Sequence, residues 1–259
     1  MKNYLIENSN ENERLNFQNK IDVYNLDKEL DFFSWDKNHF VLDAGCGNGN
    51  VIEKLISKGM TKIHGIDFSK ERIDEVAERF KSSKDVKAFH GSLDKTPFSE
   101  NSYDRIICRY VYEHLTNAPE VTTEFMRILK PGASLYVLEF DDIFFDFYTK
   151  NEFFNNQLKT LKEKLPQDFA IAYKLPQLLK RHGFKNIEWD AETYFFKGER
   201  LSLEFENNKM RLQQGRAHLA KFFGSLEDYD EFAKTYLEEM KDECNVLKTT
   251  KYLIKATKT

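Results

Sequence analysis

Cysteine is scarce in this chain: three residues in 259, at positions 46, 108 and 244, with no CxxC spacing. That pattern suggests neither a disulfide framework nor a zinc site. No stretch approaches the roughly 18 apolar residues of a membrane span. The opening Met1–Arg14 is polar and lacks the apolar core of a signal peptide. Neither sign of charge dominates, since 39 Lys+Arg stand against 43 Asp+Glu, a net charge of −4. A nucleic-acid partner normally calls for a basic surface, so the balance argues against one. No internal repeat, low-complexity tract or linker interrupts the chain. The expectation is one soluble, cytoplasmic domain, monomer or homodimer, with no membrane or nucleic-acid partner. Hydrophobic residues make up 41% and 23 positions are Phe, enough for a large core, an apolar pocket, or both.

Glycine numbers only 11, yet three fall at alternate positions in Val41-Leu42-Asp43-Ala44-Gly45-Cys46-Gly47-Asn48-Gly49-Asn50. An apolar strand runs into an acid and then into these glycines. A second strand, Ile63-His64-Gly65-Ile66-Asp67, ends in another acid about 20 residues further on, the layout of an open α/β sheet that binds an adenosine-containing ligand at its strand ends. Glycine lets the backbone turn sharply and approach a ligand closely. Asp67 is placed to accept from two ribose hydroxyls, and equally to cap the helix after it. The dinucleotide fingerprint is Gly-x-Gly-x-x-Gly. Here the third glycine is at 49 and Asn stands at 50, which speaks against a nicotinamide-dependent oxidoreductase. Asp43 suits a cationic ligand better than a pyrophosphate.

Hydrophobic periodicity predicts one or two helices over 11–34. Strands follow at 39–44, 62–66, 86–90, 103–108 and 134–140, alternating with helices at 48–58, 70–81 and 119–129. Such alternation implies a parallel sheet. The pattern then breaks. Residues 142–166 read as helical, 171–182 as a helix, 184–196 as a strand, 200–244 as two or three helices, and 246–256 as a last strand.

The segment Leu42–Gly49 resembles the first motif of the class I S-adenosylmethionine-dependent methyltransferases. The likeness extends over about 38–140, through His90-Gly91-Ser92-Leu93-Asp94, Tyr103–Leu115 and Leu129-Lys130-Pro131-Gly132. It implies S-adenosylmethionine as cofactor, S-adenosylhomocysteine as product, and a seven-stranded, mostly parallel, doubly wound sheet. The implied strand order is 3-2-1-4-5-7-6 with strand seven antiparallel. The resemblance assigns cofactor contacts to Asp43, Gly45, Gly47, Asp67, Phe68 and Leu93, and to Arg109 beneath the methyl group. Ser92 stands where family members often carry Asp, so its hydroxyl offers a weaker acceptor. Tyr4 and the run Arg14-Leu15-Asn16-Phe17-Gln18 resemble a small-molecule subgroup in which such a segment covers the cofactor. Arg14 would then pair with the cofactor carboxylate, with Gln18 beside it.

The Asn-Pro-Pro-Tyr of amino-group enzymes acting on adenine or glutamine is missing after strand four, as is the Pro-Cys of cytosine-C5 enzymes. Candidate bases are Glu113, His114, Glu139 and His218, although each also has an ordinary structural reading. The long connections 142–170 and 200–244 are expected to lie over the active site as helical insertions, with 1–36 as a helical cover. Their aromatic residues point to a small, apolar or aromatic acceptor methylated on O, N, S or C. The alternatives are a macromolecule methyltransferase and a non-catalytic S-adenosylmethionine-binding protein.

Overall fold

A computed structural model of the chain describes residues 11–259. Two short helices come first, α1 (Glu11–Gln18) and α2 (Leu26–Asp31). Asn25 caps the second, its side chain accepting from Lys28 N. The regular part follows: β1 (Val41–Ala44), α3 (Asn50–Ser57), β2 (Ile63–Asp67), α4 (Lys70–Arg79), β3 (Val86–His90), β4 (Tyr103–Arg109), α5 (Ala118–Ile128) and β5 (Leu129–Asp141). Beyond it lie β6 (Phe147–Tyr148), α6 (Glu152–Lys164), α7 (Leu175–Arg181), β7 (Lys185–Phe196), α8 (Glu199–Leu219), α9 (Leu226–Glu239) and β8 (Val246–Thr257).

The main sheet runs β3-β2-β1-β4-β5-β8, with β7 also paired to β8. The strands β1 to β5 are parallel, while β8 is antiparallel to both β5 and β7. This is the order expected from the sequence, with numbering shifted because the two-residue strand β6 precedes β7. β6 pairs with Leu247 and Val246, beyond the end of the β5 ladder.

Every residue of β1 is buried, as suits a central parallel strand covered on both faces. Alternation along the strands feeds two cores. Leu42, Ile106, Leu135 and Val137 meet Phe125 of α5 and Leu179 of α7. Val41, Ile107, Tyr136 and Leu138 meet Ile52 and Leu55 of α3 and Val76 of α4. A third apolar cluster joins Phe140 and Phe144 to Phe154, Leu158 and Leu161 of α6, Leu212 of α8 and Phe232 of α9.

Two boundaries differ from expectation. The stretch after β5 is not helical from 142; α6 begins only at Glu152. Asp142 (φ 54°) and Phe144 (φ 81°) adopt left-handed backbone that an α-helix excludes. Asn151 then caps α6 through Phe154 N, at 3.1 Å. The Pro131-Gly132 turn also does not precede the fifth strand but sits inside it. Leu129 already pairs with Tyr103, and the register shifts before Ser134 pairs with Arg105.

Candidate active site

The end of β1 and the end of β2 are locked together. Gly45 has φ 79°, and a Cβ there would lie 2.5 Å from a methyl of Val111, so only glycine fits. Gly47, at φ 50°, donates its N–H to Asp67 Oδ2 at 2.9 Å, and the other oxygen of Asp67 accepts from Ser69 N at 2.9 Å. Each oxygen of this carboxylate retains a lone pair. Ser69, not Asp67, supplies the side-chain cap of α4, accepting from Arg72 N. Asp43 is buried, and its Oδ2 has no hydrogen-bond partner among the described residues. Burial, and after it the charge of Asp67, pushes Asp43 up to about 8.

These groups border a cavity of about 230 Å³. Arg14, Gln18, Asp43, Gly45 and Gly47 line it, as do Asp67, Phe68, Leu93 and Arg109. Glu113 and His114 line it too. Four sequence candidates stand apart. Tyr4 lies outside the described residues. Ser92 is not on the lining, because its hydroxyl donates to Asp94 Oδ1. His218 is also off the lining, beside the Phe222 ring at 6.1 Å between centroids. Glu139 is fully buried behind the wall, where its oxygens accept from Glu113 N (3.2 Å) and Phe140 N (3.0 Å). It holds the turn that carries Glu113 and does not face the cavity.

Two of the arginines are already engaged. Arg14 makes a fork to Glu11 at 2.9 and 2.6 Å, and its Nη1 reaches Gln18 and Asn207, both at 3.1 Å. Through these bonds α1 meets α8, and Leu15 of α1 lies 4.0 Å from the place a Cβ on Gly47 would occupy. Arg109 donates to Glu29 Oε2 at 2.7 Å and to Tyr24 O at 3.0 Å, with its guanidinium 4.2 Å from the Tyr110 ring. Lys251 of β8 completes this buried group, 3.0 Å from Glu29 and 2.6 Å from Val23 O.

Glu113 and His114 differ as proton acceptors. Burial pushes Glu113 up, although the charges of Arg211 and Arg14 oppose it. Its Oε2 is buried without a hydrogen-bond partner among the described residues. His114 moves down to about 3, through burial and then the charges of Arg14, Arg72 and Arg211. It is therefore a neutral, weakly basic imidazole at physiological pH, and Glu113 is the stronger base of the two.

Sequence reasoning named neither the aliphatic residues nor the arginine in the far half of the cavity. Ile143, Phe144 and Phe145 line it from the segment after β5, Leu161 and Leu165 from the end of α6, and Arg211, Leu212 and Leu219 from α8. Of the aromatics in the two long connections, Phe144, Phe145 and Phe169 line the cavity. Tyr148 and Phe153 are exposed, and Phe147 is buried in the core. Phe144 holds its left-handed backbone against Tyr236, whose hydroxyl donates to Phe144 O at 2.9 Å and whose ring stacks on it at 4.3 Å. The signal for Arg211 is the polar row Glu204, Asn207, Asn208 and Arg211. These positions share one helix face, and the first three are buried.

A doubly wound α/β sheet, a glycine turn after its first strand, and a ribose-type acid ending its second define an enzyme domain for an adenosine-bearing ligand. In its glycine turn, strand-terminal acid and sheet order the chain is similar to the class I S-adenosylmethionine-dependent methyltransferases. Residues 41–132 match the sequence family described as a methyltransferase domain. A demethylmenaquinone methyltransferase of Bacillus licheniformis is 24% identical over 184 residues, 64% of this chain and 79% of the relative. A solved Bacillus halodurans protein assigned as a methyltransferase superposes with a TM-score of 0.60 at 18% identity, covering 90% of this chain and 98% of that one. The phosphoethanolamine N-methyltransferase 2 of Haemonchus contortus, solved with S-adenosyl-L-methionine, gives 0.57 at 19% identity, covering 95% and 52%. At these identities the two structures speak for the fold. Among the described residues no helix is long and apolar enough to cross a membrane, and no cluster of His, Cys, Asp or Glu is arranged for a metal.

Proposed function

We propose that this chain methylates a small, apolar or aromatic acceptor, held in the chamber between α6 and α8. The observation that carries this reading is continuity. One cavity runs from the glycine turn and Asp67 to an apolar wall of Phe144, Phe145, Leu165 and Phe169. A relative named for demethylmenaquinone, itself a small molecule, supports the same reading.

The residues of the turn fit an S-adenosylmethionine molecule. A buried, unpartnered Asp43 Oδ2 suits a cationic group, and a Cβ-free Gly45 allows close approach. Asp67 would hold the ribose through its remaining lone pairs, and Phe68 and Leu93 would bracket the adenine. Arg14 is positioned by Glu11 and Gln18, beside the cavity, to face a carboxylate. When bound, the cofactor supplies a methyl group already activated by its sulfonium, so the protein's task is orientation and exclusion of water. The apolar wall serves both ends by fixing an acceptor ring. Glu113 is the group best placed to take a proton from the acceptor.

The test uses methyl-labelled S-adenosylmethionine with a cell extract split into small-molecule, protein and RNA fractions. Label in the small-molecule fraction is the expected result. Label confined to protein or RNA would remove the small-acceptor reading.

A further inference from the structure

The proposed acceptor chamber is not uniformly apolar. Arg211 lines it from α8, close enough for its charge to act on Glu113, with its guanidinium 5.9 Å from the Phe144 ring. Three lining arginines differ in how well their charge is met. Arg14 has a two-bond fork to Glu11, with contacts of 2.6 and 2.9 Å. Arg109 has a 2.7 Å bond to Glu29. Among the described residues Arg211 has neutral hydrogen-bond partners, the Asn208 amide oxygen and the Tyr24 hydroxyl, and its nearest acid, Glu204, stands off at 3.6 Å. Burial also pushes Glu204 up, toward its neutral form. Arg72, the fourth, sits on α4 beside Ser69, at the glycine-turn end of the cavity. The apolar end thus contains an under-compensated guanidinium, and near it a buried carboxylate with an unpartnered oxygen, Glu113 Oε2.

We propose that the acceptor is an apolar ring compound carrying one acidic hydroxyl, bound as its oxyanion to Arg211, with the hydroxyl proton transferred to Glu113. The inference rests on the small-acceptor reading above and narrows it. The O–H bond breaks, its electron pair stays on oxygen, and the proton neutralises the Glu113 carboxylate. Net charge in the chamber is unchanged by that transfer. The guanidinium fork suits an oxyanion lying in its plane. A neutral ring without the hydroxyl would leave both polar groups unmet, which is the stronger source of selectivity.

The test uses the full chain saturated with S-adenosylhomocysteine and two probes, 4-nitrophenol and 4-nitroanisole. Titrations are run at a pH where free 4-nitrophenol is half ionised, so that absorbance reports the phenolate. The wild type should bind 4-nitrophenol as phenolate, about 10- to 100-fold tighter than 4-nitroanisole, the scale of a hydrogen bond to a charged group. Arg211→Gln should lose that preference and Arg211→Lys should keep most of it, with melting curves confirming that both variants fold. Equal binding of the two probes by the wild type overturns the proposal even if no variant folds. So does a folded Arg211→Gln that still prefers phenolate. Failure to bind S-adenosylhomocysteine would instead remove the parent reading, and this inference with it.

Discussion

Glu29 of α2 and Arg109 at the end of β4 share a 2.7 Å hydrogen bond, and Glu29 is 1% exposed. Burial alone would raise Glu29, but the neighbouring Arg109 and Lys251 hold it below the ordinary carboxylate range. The same carboxylate accepts from Tyr110, a non-glycine residue at φ 57°. The N-terminal segment is thereby clamped to the strand end that borders the cavity. Removing one partner leaves the other charge buried alone. Glu29→Ala should cost about 3–5 kcal/mol of stability, read by urea denaturation. A loss within the range of an exposed substitution would show that the cluster does not anchor the segment.

Asp43 gives a pH prediction with a definite sign. Its ordinary value is 3.8, and in the fold it rises to about 8. The folded state therefore keeps a proton that the unfolded state has released. That contribution is full below about pH 4 and is lost as pH rises through 8. Asp43→Asn should flatten this decline and stabilise the ligand-free protein by roughly 1–3 kcal/mol at pH 8, the cost of an unsatisfied buried group. Cofactor binding should weaken in the same variant, since an amide cannot ionise to meet a cationic ligand as the carboxyl can. Melting curves across pH would check the first effect and calorimetry the second. A wild type whose stability is level from pH 5 to pH 8 would contradict the assignment.

Asp67 holds Gly47 N and Ser69 N and is proposed to hold the ribose. Asp67→Ala should weaken S-adenosylhomocysteine binding by about 1–3 kcal/mol, measured by calorimetry. A folded variant with unchanged affinity would rule the contact out.

For Glu113, replacement by Gln should lower kcat by about 10²–10⁴, the usual contribution of a general base, and leave cofactor affinity near the wild type. His114→Gln should cost far less, because that imidazole already titrates near 3. Equal losses in the two variants would argue against Glu113 as the proton acceptor.

The bonds of Arg14 to Glu11, Gln18 and Asn207 make α1 a candidate cover. Hydrogen exchange of the 11–18 amides should slow when cofactor binds, as one carboxylate replaces or joins another at the guanidinium. Identical protection with and without cofactor would mean that α1 is only a structural appendage.

Residues 11–141 were largely legible because their signals are local. A glycine turn, a strand-terminal acid and apolar alternation each act within a few positions. The same locality pointed to Asp43, Gly45, Gly47 and Asp67, which the fold brings to one cavity. It failed for Glu139 and His218, whose side-chain directions depend on which way a strand or helix face turns. Glu139 points at the backbone of the neighbouring turn, and His218 sits beside Phe222. It failed again over 142–151. There Asp142 and Phe144 take left-handed backbone, and Tyr236, 92 residues from Phe144 in sequence, bonds to its carbonyl. Arg211 was hidden because Arg on a charged helix reads as solvated until its neighbours Asn207 and Asn208 prove to be buried.

The position of β8 has a consequence for synthesis. Residues 246–257 follow every other strand in sequence, yet they sit between β5 and β7. Until they emerge from the ribosome, β5 presents an open edge, and β7 has no sheet to join. Lys251 also travels with them, so the buried cluster around Glu29 lacks one of its two cations until the same moment. The nascent sheet thus keeps an open edge from the emergence of residue 141 until that of β8, a window in which chaperone capture competes with aggregation. Proteolysis of ribosome-bound chains stalled before and after residue 257 would show whether protection arrives in that single late step.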